Sequence, residues 1–108
     1  MKMIVATIRL YKLQEVKESL ARLNVYEMTI FKVTVSEKSN DESEKSGGRA
    51  MESNVRDKIR IEIPAPDDGA SRIIQTIRDA ANTGNPGDGV ISMYEIVQSM
   101  NISTGKEE

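Results

Sequence analysis

Lys58-Ile59-Arg60-Ile61-Glu62-Ile63 alternates without a break, with three isoleucines on one side and Lys58, Arg60 and Glu62 on the other. Strict alternation of this kind marks a β-strand with one apolar and one polar face. Downstream, Pro64-Ala65-Pro66 reads as the end of the strand, because proline cannot donate to a ladder. Asp67 or Asp68 is then placed to cap a helix whose apolar stripe is Ile73, Ile74, Ile77 and Ala81. That helix ends near Asn82, and Val90 to Ile96 reads as another strand. Between them lies Thr83-Gly84-Asn85-Pro86-Gly87-Asp88-Gly89, which no regular element absorbs. The plain reading of this turn is a helix C-cap with Gly84 at C′. The alternative is a nest that points several backbone N–H groups at one anion, since glycine allows the φ > 0 such nests need.

Upstream, the same β-α-β order occurs once more. Met3 to Leu10 is rich in β-branched residues and nearly continuous in apolar character, as suits a strand paired on both sides. Leu13, Val16, Leu20 and Leu23 form one face of a helix, and Asn24 is its expected stop. Met28 to Val35 is a strand with Phe31, Val33 and Val35 on one face and Lys32 and Thr34 on the other. Ser36 to Asp57 then breaks all periodicity and is dense in charge, so alone it buries too little to offset its conformational entropy. It is either a tolerated surface insertion or a recognition arm that orders on a partner. The tail, residues 97–108, is polar, with a weak strand or turn signal from Met100 to Ile102.

The order is therefore β-α-β, long loop, β-α-β. Two such halves predict a single α+β domain over residues 1–108, a ferredoxin-like fold with an antiparallel four-stranded sheet and both helices on one face. The isoleucines of the third strand belong under the helices. The face carrying Lys58, Arg60 and Glu62 is then solvated or covered by another subunit, and its mixed character favours self-association.

Composition narrows the function. A net charge of -2 argues against a general nucleic-acid binder. With neither cysteine nor histidine the chain has no thiol chemistry and lacks the usual zinc ligands and the commonest general base. No carboxylate pair has a spacing that suggests a job, so neither enzymatic activity nor a metal site is expected. No apolar run approaches the ~20 residues of a membrane span, and Met1-Lys2-Met3-Ile4 enters a strand at once, so a cytoplasmic protein without direct membrane insertion is expected.

Over nearly its full length the chain resembles the PII-type signal-transduction family (the nitrogen regulatory PII superfamily). The likeness is carried by Met1-Lys2-Met3-Ile4 with Lys12-Leu13 and Glu15-Val16-Lys17-Glu18, by Met28-Thr29, where Glu27 replaces a usual glycine, and by Lys58 to Ile63 with Asp67-Asp68. Thr83-Gly84 with Gly87-Asp88-Gly89 and the late Thr104-Gly105 complete it. The resemblance implies a homotrimer that binds adenine nucleotides in clefts between subunits and controls a target protein, possibly a membrane transporter or a metabolic enzyme, through a long T-loop. Thr7, Thr29, Glu62 and Pro64 would line the adenine site, and the backbone of Gly87, Asp88 and Gly89 in the B-loop, residues 83–89, would hold phosphates. Residues 36–57 would be the T-loop, with Ser39, Arg49, Met51 and Lys58 as its effector and partner positions.

The departures from the pattern imply a divergent paralogue. Val90, Asn101 and Ser103 stand where the family has a lysine and two arginines, all of which face polyphosphate. A charge-assisted contact to phosphate contributes roughly 1.5–3 kcal/mol, so their loss shifts the expected preference from ATP toward ADP or AMP. Arg49, Arg56 and Lys106 are the cations that would compensate. Met51 replaces a modifiable tyrosine, and Ser39 replaces the glutamine of the family's 2-oxoglutarate and magnesium site, while Lys58 is kept. No cofactor is required on this reading, and nitrogen and carbon regulation both remain open. The alternative is a structural or scaffolding trimer that has lost nucleotide binding.

Overall fold

The computed structural model describes residues 1–38 and 53–108. β1 spans Lys2–Arg9, and a short 3-10 turn over Leu10–Lys12 leads into α1, Leu13–Ala21. β2 covers Thr29–Lys38, β3 Ser53–Ala65, α2 Ala70–Ala81 and β4 Gly89–Glu95. The strands form one antiparallel open sheet in the order β2-β3-β1-β4. This is the expected α+β, ferredoxin-like arrangement.

Alternation places the core. Ile4, Ala6 and Ile8 of β1 pair across the ladder with Ile63, Ile61 and Ile59 of β3, and all six are buried under the helices. Val16 and Leu20 of α1 and Ile73 and Ile77 of α2 close the core from above. Burying each such large apolar side chain stabilises the fold by about 1.5–3 kcal/mol. Asn24 stops the first helical segment in the left-handed region, φ 60, which asparagine tolerates better than most residues.

Four sequence expectations shift. The ladder between β2 and β3 runs on through Ser36↔Val55, Glu37↔Asn54 and Lys38↔Ser53, inside the stretch expected to be wholly aperiodic. Backbone pairing needs no apolar alternation when both faces are solvated, and polar cross-strand contacts such as Thr34 to Asp57, 3.3 Å, suffice. Of the expected loop, Ser39, Arg49 and Met51 lie outside the described residues. β3 also continues through Pro64, which sits opposite Met3. β2 begins only opposite Glu62, so β3 has lost its second neighbour there and tolerates a proline.

The α2 cap is neither aspartate. Gly69 occupies the N-cap with no side-chain hydrogen bond, and its carbonyl accepts from the Ile73 N–H at 3.2 Å. Asp67 instead pairs with the Met1 ammonium at 2.7 Å. Lastly, Lys58 was expected on a face open to solvent or to another subunit, yet it is buried within its own chain, only 3% exposed.

The helix-free face carries Phe31, Val33 and Val35 of β2, Arg60 and Glu62 of β3, Val5 and Thr7 of β1, and Val90 and Tyr94 of β4. Phe31, Val90 and Tyr94 are exposed there. Truncating the centre of the opposite, covered face is expected to be severe: Ile77→Ala should lose about 2–5 kcal/mol in urea unfolding. Ile74→Ala, at a half-buried position of the same helix, should lose less.

Candidate functional site

The turn at residues 83–89 is built around one carboxylate. α2 ends at Ala81, and Asn82 already has extended backbone angles, φ -72 and ψ 127, so the helix does not close through a glycine C-cap at Gly84. Instead Asp88 gathers the chain. Its Oδ2 accepts the Thr83 N–H at 2.8 Å and the Gly84 N–H at 3.1 Å, and its Oδ1 accepts the Thr83 hydroxyl. Arg9, the last residue of β1, donates Nε to Oδ1 at 3.0 Å and a second guanidinium nitrogen to the Pro86 carbonyl at 2.9 Å. The Thr83 hydroxyl and amide, helped by Arg9 and Gly84 and opposed by partial burial, hold the Asp88 carboxyl well below the ordinary carboxylate range.

A second cation supports the turn from β3. Lys58 Nζ donates to the Gly87 carbonyl and lies 3.4 Å from a Glu37 carboxylate oxygen. Arg9 and Lys58 are ladder partners, so the two cations stand side by side beneath the turn. The Gly87 and Asp88 amides meet no acceptor among the described residues. Gly89 then starts β4 with φ +118, and a Cβ there would lie 1.8 Å from the Thr7 carbonyl oxygen, so only glycine lets β4 approach β1. A cleft of about 210 Å³ opens beside this point, lined by Thr7, Arg78, Asn82, Asp88, Gly89 and Val90.

The sequence-derived site residues divide into two groups. Gly87, Asp88 and Gly89 sit at one end of the sheet with Thr7 beside them. Thr29 and Glu62 are cross-strand partners, and Pro64 lies beyond them toward the other end. Glu62 accepts from Arg60 at 3.2 Å. From Lys58 to Glu62 along β3 is roughly 13 Å at a strand's rise of about 3.3 Å per residue, so one chain does not bring the groups together. Lys58, assigned from sequence to the effector loop, touches both the turn, through the Gly87 carbonyl, and Glu37 near the end of β2.

The replaced cations also have places. Val90 is exposed opposite Thr7. Asn101 organises the C-terminal turn, its Oδ1 accepting the Ser103 N–H at 3.0 Å, the Ser103 hydroxyl at 2.8 Å and the Thr104 N–H at 3.1 Å. Arg9 and Arg78 are the cations sequence reasoning missed. Arg9 was legible as the ladder position facing Lys58, and Arg78 as the residue one helical turn before Asn82. Arg56 stands at the loop base rather than at the turn, and the Lys106 carbonyl accepts the Asn101 N–H to close the terminal segment.

Comparison with known proteins identifies the family. Residues 1–106 match the family model described as nitrogen regulatory protein P-II. The nitrogen regulatory protein P-II of Pyropia yezoensis is 38% identical over 104 residues, covering 96% of this chain and 93% of that protein. Nitrogen regulatory protein P-II 1 of Escherichia coli K12 is 33% identical over 108 residues, 100% of this chain and 96% of its own length. The P-II protein of Haemophilus influenzae is 33% identical over 107 residues, with 99% and 96% covered.

Two tests address the turn. Gly89→Ala should destabilise the protein to chemical denaturation far more than Gly84→Ala, because a Cβ at Gly84 meets nothing and adds only the strain of φ +81. Asp88 titrates below its unfolded value of 3.8, so its stabilisation is complete above that pH and is lost as pH falls through the folded value. A carboxyl carbon NMR titration should give an Asp88 midpoint below 3.8, and Thr83→Val should move it upward.

Proposed function

Because the chain belongs to the nitrogen regulatory protein P-II family, we propose that it is a cytoplasmic, trimeric regulator that binds an adenine nucleotide between subunits and controls a partner protein through residues 39–52 and their base. The observation that carries this reading is the division of the site. Thr29, Glu62 and Pro64 lie toward one end of the helix-free face and the glycine-rich turn at the other, so a pocket using both is completed by a second copy. Exposed Phe31, Val90 and Tyr94 on that face give association an apolar contact surface. The unengaged Gly87 and Asp88 amides suit a phosphate, whereas Val90 offers none of the charge that a polyphosphate needs. AMP or ADP therefore fits better than ATP, with Arg78 the cation nearest the cleft.

Light scattering at micromolar concentration should give three times the 12.0 kDa chain mass, and a monomer mass would defeat the subunit-cleft reading. Calorimetry with ATP, ADP and AMP then measures the ligand preference. Val90→Lys should raise ATP affinity more than AMP affinity, by an amount that shrinks in high salt. Wild-type protein that binds ATP tighter than AMP, with no response to Val90→Lys, would overturn the charge argument. A trimer that binds no nucleotide would be a scaffold.

A further inference from the structure

Among the described residues, the cleft beside Gly89 has one cation on its walls, Arg78 of α2. The other cations of the turn are committed. Arg9 holds Asp88 and the Pro86 carbonyl, and Lys58 holds the Gly87 carbonyl and faces Glu37. Arg78 pairs with Asp79 at 3.8 Å, and both side chains are 65% exposed. So long a contact, open to water, binds weakly, and the guanidinium is loosely held. Its backbone, by contrast, is fixed: Ile77 and Ala81 on either side are buried, and the helix ends directly in Asn82 and the turn. Asp88 also lines the cleft, but four donors already occupy its carboxylate. On the β4 side the exposed Val90 contributes apolar surface alone.

We propose that Arg78 is the specificity-determining residue of this cleft, reading one phosphate and limiting the ligand to a nucleoside monophosphate. Position 90 supplies no charge from β4, and Arg78 supplies it from α2 instead. A planar guanidinium presents a fork of N–H donors that matches two oxygens of a single phosphate. A second phosphate would meet Val90 or the Asp88 carboxylate, with no further cation on the cleft walls to offset its charge. The inference rests on the nucleotide reading above and narrows it from AMP or ADP to AMP. The last turn of a helix also favours a cation for its own sake, because the carbonyls there carry partial negative charge. That role alone would act on stability and leave the choice of ligand untouched.

Calorimetry on the full chain with AMP and, separately, with adenosine isolates the phosphate, since the two ligands differ in nothing else. Wild type should bind AMP at least roughly tenfold tighter than adenosine, the scale of one charge-assisted contact. Arg78→Gln should lower that ratio about tenfold and leave adenosine affinity unchanged. Arg78→Lys, which keeps the charge without the fork, should give an intermediate ratio. Arg72→Gln, the same charge change nearer the start of α2, should leave the ratio intact. ADP should bind wild type no tighter than AMP. A ratio that survives Arg78→Gln would overturn the assignment of Arg78 and leave the nucleotide reading standing. ADP binding well above AMP would overturn the monophosphate limit. Wild-type protein that binds none of the three ligands would sink both readings.

Discussion

A single carboxylate decides how the second half of the fold closes. Asp88 draws the Thr83 and Gly84 amides, the Thr83 hydroxyl and the Arg9 guanidinium to one point. That point ties the end of α2 to the end of β1 and to the start of β4. Gly89 follows immediately, and its missing side chain lets the strand settle against Thr7. The register of β4 on β1 is therefore set at its first residue, and with it the faces on which Val90, Ser92 and Tyr94 lie.

This arrangement changes how the charges of the turn are understood. Arg9 and Lys58 look, by position, like cations waiting for an anion. Both are already engaged, one by Asp88 and a carbonyl, the other by Gly87 and Glu37. Cationic support of the backbone and cationic attraction of a ligand draw on the same side chains. With valine at position 90, and with Asn101 and Ser103 bonded to each other, the balance here lies toward support.

The fold was legible in sequence because its signals are local and redundant. Ile59, Ile61 and Ile63 announce a strand by alternation, the Ile73 and Ile77 spacing a helix by its 3.6-residue period, and both periods survived folding intact. What escaped were choices made between elements. Nothing near Asp67 signals that the Met1 ammonium would take it from the helix cap. Nothing near Lys58 shows that Gly87 and Glu37 would bury it, since those partners are 29 and 21 residues away in sequence. The polar ladder beyond Val35 was missed for a different reason: hydrophobic periodicity reports burial, and those strands pair without being buried. That one chain holds the two groups of site residues apart was likewise invisible, because the resemblance places them together.

The strand order has one more implication. β2 lies at the rim of the sheet and is ten residues long, so a run of its backbone donors and acceptors faces outward. Such a rim is a template on which another chain can zip up. Lys32 and Glu37 place charges along it, and the exposed Thr34 adds a polar side chain on the same side as Lys32. A strand added there would set like charges against each other in the parallel, in-register pairing that fibril growth requires. The same residues that leave β2 poor in core contacts thus guard the free margin of the sheet against runaway polymerisation.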